Sequence, residues 1–193
     1  EQRPMPEGCE EGVLRGLYSI IEAEEKGDGQ PRPQLLGSGA ILPQVLKARD
    51  LLAKRYGVAA DVWSATSYKK LYRDAMDVER WNLRHPEEDP RTPYVTECLA
   101  DGGPVIAAND YVKALSDMLA RWVPGTLVSL GTDGFGRSDG RSALRSFFEV
   151  DARHVAYATL AALHREGRFD AKDLREAAAE LRIDPDKPNP VDC

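Results

Sequence analysis

Short apolar runs alternate with longer stretches of helical periodicity along this chain, with a turn between each pair, and that alternation dictates strands and helices packed in layers. Leu35-Leu36 leads into Gly37-Ser38-Gly39, after which Leu42, Val45, Leu46 and Leu52 recur at helical spacing until Tyr56-Gly57 stops them. Ala60 to Ala65 reads as the next strand, and Leu71, Ala75 and Val78 mark one face of the long helix behind it. Past a proline-rich connection from Pro86 to Pro93, Pro104 to Ala108 has the unbroken apolar character of a strand buried on both faces. A helix carrying Val112, Leu115, Met118, Leu119 and Trp122 is expected after it. Thr126 to Leu130 is a fourth strand, followed by a glycine-rich loop from Asp133 to Asp139 and a short helix with Leu144, Phe147 and Phe148. The expected fold is an α/β sandwich on a largely parallel sheet.

The last quarter is helical. Asp151 is placed to cap a helix through Val155, Thr159 and Leu163 that ends at Gly167, and Asp170 opens a second through Leu174, Ala178 and Leu181, stopped by Pro185. Near the start, Leu14 to Ile20 fits a strand, but Val13, Leu17 and Ile20 also fit a helical face, and periodicity leaves both open. At 193 residues the chain has the length of one domain. Residues 1–30 read as a lead-in segment, polar loop over the first twelve, and 31–193 as the α/β unit. Opening on Glu1 within that polar stretch, the chain reads as a piece of a longer protein.

A formal net charge of -6 repels phosphate backbones, which argues against nucleic acid as a partner. No apolar run of the length a membrane span needs (about 18 residues) occurs, and no signal-peptide pattern opens the chain, so an intracellular, non-membrane protein is expected. Cys9, Cys98 and Cys193 are far apart and lack zinc-site spacing, so three unpaired thiols are expected.

Several motifs invite chemistry, and each has a plainer reading. Gly37-Ser38-Gly39 could cradle a phosphate, but the position that would complete a GxGxxG pattern is Leu42, so a tight turn packing helix on sheet is the better account. Gly27-Asp28-Gly29 has the opening of a diphosphate-metal motif without the paired asparagines that would close it, and reads as an exposed loop. His154 and His164, ten residues apart on one helix, point in different directions and cannot share a metal, while His85 is placed to bind the last carbonyls of its helix. Around Arg73-Asp74, Asp77 and Glu79, the pair Arg80-Trp81 is either part of a solvated charged face or an anchor at an interface. The loop bearing Phe135, Arg137 and Asp139, with Arg141 after it, is open to two readings, a ligand loop or a domain contact held by Asp–Arg pairs.

Met5 to Gly12, Leu35 to Gly39, Arg73-Asp74 through Asp77-Val78-Glu79-Arg80-Trp81-Asn82 to Pro86, Arg91 to Tyr94, Leu130 to Asp139, Glu149 to Asp151 and Asn189-Pro190 together resemble the C-terminal domain of the homodimeric-type pyruvate dehydrogenase E1 component, within the transketolase-like enzymes. The resemblance implies a three-layer α/β/α domain on a mostly parallel, mixed five-stranded sheet. It also implies a cytoplasmic homodimeric enzyme that decarboxylates pyruvate on thiamine diphosphate and Mg²⁺, then passes the acetyl unit to the lipoyl group of the E2 acyltransferase. The cofactor of that family lies between the two preceding domains, so no catalytic, cofactor-binding or metal-binding residue carries over to this chain. What carries over is contact with the other E1 domains and the second subunit, through a surface bearing Arg80, Trp81, Phe135, Arg137, Asp139 and Arg141.

Overall fold

Leu35 and Leu36 point to opposite faces of a sheet because side chains alternate along a strand, and both are sealed from solvent. The computed structural model describes residues 4–23, 32–100 and 102–192. Its sheet has five strands, β1 (Leu17–Ile21), β2 (Gln34–Gly37), β3 (Asp61–Ala65), β4 (Val105–Ala108) and β5 (Leu127–Leu130), in the order β1-β3-β2-β4-β5. β2 is parallel to both of its neighbours and β4 is parallel to β5, whereas β1 joins β3 antiparallel, with a register shift between Ser19 and Ile21. This is the largely parallel, mixed sheet anticipated from the sequence.

Two helical layers cover it. α2 (Leu42–Tyr56), α7 (Ala152–Arg165) and α8 (Ala171–Glu180) lie on one face, where Val45, Leu52, Val155 and Leu160 pack on Leu35, Val62 and Ile106. On the other face, α3 (Tyr68–Arg84), α4 (Tyr94–Cys98) and α5 (Ala114–Asp117) bring Leu71, Ala75, Val95 and Leu119 against Leu36, Ala65, Val105 and Ala107. Burying each such aliphatic side chain contributes about 1.5–3 kcal/mol. Local signals fix the helix ends: the Ser67 side chain accepts from Lys70 N, Gly57 takes φ 64 after α2, and Asp151 accepts from the backbone N–H groups of Arg153 and His154.

Three segments depart from expectation. The ambiguous stretch near the start is both helix and strand in succession, α1 (Glu10–Arg15) and then β1, so residues 17 to 21 of the expected lead-in form the edge strand of the sheet. α4 was not foreseen from the sequence, although Pro93 before it and the buried pair Val95 and Leu99 carry a helix signal. The helix expected from Val112 to Trp122 contracts to the four residues of α5, followed by i→i+3 turns in which Leu119, Ala120 and Trp122 donate to Ser116, Asp117 and Leu119. Apolar residues three apart, such as Leu115 with Met118 and Leu119 with Trp122, satisfy a three-residue turn as well as an α-helix. The Gly27-Asp28-Gly29 reading lies outside the described residues.

The edge from which β2, β4 and β5 start is held by close backbone approach and one buried carboxylate. A β-carbon on Gly103 would lie 1.9 Å from Arg32 O, and one on Gly125 would lie 2.1 Å from Gly103 O, so glycine alone lets these three segments pack. Beside them the Asp61 side chain, 2% exposed, accepts from Ala23 N at 2.7 Å, Gln34 Nε2 at 2.7 Å and Arg32 Nε at 3.2 Å. Trp63 Nε1 extends the network by donating to Gln34 Oε1 at 2.6 Å.

Two predictions follow from this packing. A β-carbon on Gly37 would sit 2.8 Å from Leu42 Cα, so Gly37→Ala must displace α2 from the sheet and is expected to cost roughly 1–3 kcal/mol in urea unfolding. An unchanged midpoint would contradict this packing. For Asp151, burial opposes the charge, but hydrogen bonds from His154 and Arg153 outweigh it and hold the carboxyl well below the usual carboxylate range. A depressed folded-state value means that this stability is complete above the unfolded value near 4 and is lost as pH falls toward the folded one. The destabilisation caused by Asp151→Ala is therefore expected to be greater at about pH 6 than at about pH 3. A pH-independent difference would show that the carboxylate charge plays no part.

Candidate functional site

The loop after β5 is shaped by its links to the segment after β4. Thr132 N donates to Tyr111 O at 2.8 Å, Thr132 Oγ1 donates to Asp110 O, and Lys113 N donates to Asp133 Oδ1 at 2.9 Å, with the Lys113 ammonium 3.8 Å from the other carboxylate oxygen. Gly134 takes φ 87, and a β-carbon there would lie 3.1 Å from Val191 Cα, so the C-terminal tail runs against the loop. Phe135 is consequently turned outward and is 91% exposed, near the exposed Tyr111, Val112 and Val191. Among the described residues no ion pair joins Asp133 or Asp139 to an arginine, so the expected Asp–Arg bracing is replaced by Asp133–Lys113. Asp139 instead accepts from the next residue, Gly140 N, at 2.6 Å.

Trp81 sits elsewhere. α3 runs back antiparallel to the strand that precedes it, so its last turns lie at the N-terminal edge of the sheet, where Trp122 Nε1 donates to Glu79 at 2.8 Å just before β5 begins. The Phe135 loop follows the C-terminal end of β5. The structure therefore sets Arg80 and Trp81 toward one edge of the sheet and the 135–141 loop toward the other. The indole is also occupied within the chain: His85 stacks on it at 4.3 Å and 11°, and the Arg91 guanidinium lies 3.7 Å from the ring centroid. Two groups so near one centroid must take opposite faces. Asn82 exchanges side-chain hydrogen bonds with the backbone of Arg91 at 2.9 and 2.8 Å, so the proline-rich connection folds back and clamps Trp81, while Arg80 remains exposed.

The histidines have structural partners. His85 Nδ1 lies 2.8 Å from Trp81 O, as the helix-end reading expects, His154 Nδ1 lies 2.8 Å from Asp151 Oδ1, and His164 Nδ1 lies 2.8 Å from Phe169 O. Cys9 and Cys98 are free thiols, and burial pushes the Cys98 thiol up; Cys193 lies outside the described residues. Among the described residues, no three His, Cys, Asp or Glu side chains stand together to hold a metal ion. Nor is any helix there long and apolar enough to cross a membrane.

A concavity beyond the strand exits was not singled out from sequence as a whole, only in parts. β2 sends α2 to one face of the sheet and β4 sends α5 to the other, so the loops after these neighbouring parallel strands diverge and leave a crevice. A cavity of about 500 Å³ opens there. Ala40 and Ile41 line one side and Phe148 the base, with Asp110 near Gly39 and three arginines, Arg137, Arg141 and Arg145, along the rim. The sequence signal for it is the spacing of the arginines, four apart, running from the loop into α6 (Arg141–Phe147).

Residues 16–151 match the family described as Transketolase-like TK C-terminal domain. The pyruvate dehydrogenase E1 component of Pseudomonas aeruginosa is 48% identical over 100% of this chain and 22% of its own length. The corresponding components of Escherichia coli and Mycolicibacterium smegmatis are 48% and 47% identical over 96% and 95% of the chain, which covers 21% and 20% of them. The chain thus spans about a fifth of the length of these relatives. Among solved structures, a Pichia stipitis transketolase superposes with a TM-score of 0.55 at 17% identity, over 83% of this chain and 20% of that one. A Campylobacter jejuni transketolase gives 0.50 at 21%, over 77% and 19%. With its mixed five-stranded sheet between two helical layers, the chain belongs to the transketolase-like C-terminal domain family, in the form carried by pyruvate dehydrogenase E1 components.

Proposed function

We propose that this chain serves as the C-terminal domain of a cytoplasmic, homodimeric pyruvate dehydrogenase E1, which decarboxylates pyruvate and acetylates the lipoyl group of an E2 acyltransferase. The observation that carries this reading is the 48% identity to an E1 component across the whole length of the chain. The chemistry belongs to thiamine diphosphate and Mg²⁺, which the family arrangement places between the other two domains. The part of this chain is to hold those domains and the second subunit in register.

The exposed rim of Phe135, Tyr111 and Val112 supports that role, because a large aromatic side chain left in water beside other apolar groups gains most when a partner covers it. Asp139, Arg137 and Arg141 flank it with charges suited to a polar border, and Arg80 offers a separate contact at the opposite edge. Trp81 acts indirectly, by shaping the connection that Arg91 and His85 clamp on it.

Three measurements test this reading. The intact polypeptide, supplied with thiamine diphosphate, Mg²⁺ and pyruvate, is expected to acetylate a lipoyl domain, and failure to do so under conditions where it is folded and dimeric would sink the assignment. Calorimetry on the isolated chain is expected to show no heat with thiamine diphosphate and Mg²⁺; saturable micromolar binding, about −8 kcal/mol, would move part of the cofactor site into this domain. In the intact protein, Phe135→Ala is expected to weaken assembly by roughly 1–3 kcal/mol in sedimentation, with turnover falling in parallel. Unchanged assembly with lost turnover would instead give the loop a role in chemistry.

A further inference from the structure

The cavity between the β2 and β4 exits is positively charged in a chain whose net charge is -6. Its three guanidiniums carry no ion pair with any described residue. Arg137 lies over the Phe147 ring at 4.2 Å and Arg145 donates one hydrogen bond to Ala40 O at 3.1 Å, while Arg141 is exposed at the rim. Most of their donors are therefore free, and they converge on one opening from spacings of four residues. Arginine presents planar paired donors that match phosphate oxygens, and three of them against the single carboxylate Asp110 leave the cavity with an excess of positive charge.

The rest of the lining narrows the ligand. Ile41 and Phe148 form an apolar floor that would hold a flat or aliphatic body, and a volume of about 500 Å³ admits a drug-sized molecule rather than a bare ion. Asp110 lies on the Gly39 side, with one carboxylate oxygen 3.8 Å from where a β-carbon of Gly39 would stand, and it can accept a hydroxyl proton. The location is the crevice beyond the carboxyl ends of parallel strands whose connections part to opposite faces. Gly37 is packed too tightly on Leu42 for its turn to wrap a diphosphate, and the residues that follow the turn, Ala40 and Ile41, form one wall.

We propose that this cavity binds a nucleoside phosphate, with Arg137, Arg141 and Arg145 on the phosphate, Ile41 and Phe148 on the base, and Asp110 on a sugar hydroxyl. The proposal does not depend on the activity assigned to the intact enzyme. Phe135 faces outward from the same loop, and Arg137 and Arg141 stand where the border of that contact meets the rim of the cavity.

The test is titration calorimetry of the 193-residue chain with ADP, adenosine and inorganic phosphate as separate probes. ADP is expected to bind with one-to-one stoichiometry, more tightly than either half alone, and more weakly as salt is raised. Arg141→Ala, which removes a side chain making no hydrogen bond or ion pair with any described residue, is expected to weaken ADP binding roughly tenfold. Arg80→Ala, an equal loss of charge at the far edge of the sheet, is expected to leave it unchanged. Absence of saturable ADP binding up to about 1 mM overturns the proposal. Equal losses from the two variants overturn it as well, because they would reduce binding to a general charge effect. Phosphate or adenosine binding as tightly as ADP overturns the nucleoside-phosphate assignment.

Discussion

The structure depends most on how two adjacent parallel strands part company. β2 and β4 share a hydrogen-bonded ladder, yet the chain leaves β2 toward one helical layer and β4 toward the other. Both layers are needed, because a strand such as β2, buried at every position, must be covered on both sides. The crevice at their exits is therefore a by-product of sealing the sheet. The close packing of Gly37 on Leu42 sets how steeply α2 departs, and hence how wide the crevice opens.

At the opposite edge the governing interaction is electrostatic. A carboxylate as buried as Asp61 is tolerable only if its oxygens are satisfied, and its partners come from two separate stretches: Ala23 after β1, and Arg32 with Gln34 at the start of β2. β1 has β3 as its only neighbour in the sheet, and its register shifts between Ser19 and Ile21. The hydrogen bond from Ala23 to Asp61 supplies an additional fixed point just past the shift.

The fold was readable in the sequence wherever periodicity and turn residues agreed. Leu35-Leu36 before Gly37, and Asp151 before Val155, each state an element and its boundary in a few residues. Reading failed where two regular structures share a spacing, as between Leu115 and Trp122, or where one element is followed by another with a single glycine between them, as at Gly16 between α1 and β1. The candidate site was legible only in fragments. Arg137 and Arg141 stood out as residues, but their convergence with Arg145, Asp110 and Ile41 depends on the crossing of the strands, which no local pattern encodes. The setting of Trp81 was hidden for a related reason. Its charged neighbours are visible in sequence, whereas Arg91, which covers it, returns from ten residues away through the Asn82 clamp.

The stacked approach of Arg32, Gly103 and Gly125 has a consequence for how such a domain can change over time. Where backbones touch with no room for a β-carbon, neither a larger residue nor an extra one can be admitted without opening three parallel strands together. At the other end of the sheet the close approaches are pairwise, Gly131 on Tyr111 O and Gly37 on Leu42, and the loops after β4 and β5 are otherwise joined by hydrogen bonds such as those of Thr132 and Asp133. An insertion is therefore costliest where the backbones of three strands meet at Arg32, Gly103 and Gly125, because a change in any one of them displaces the other two.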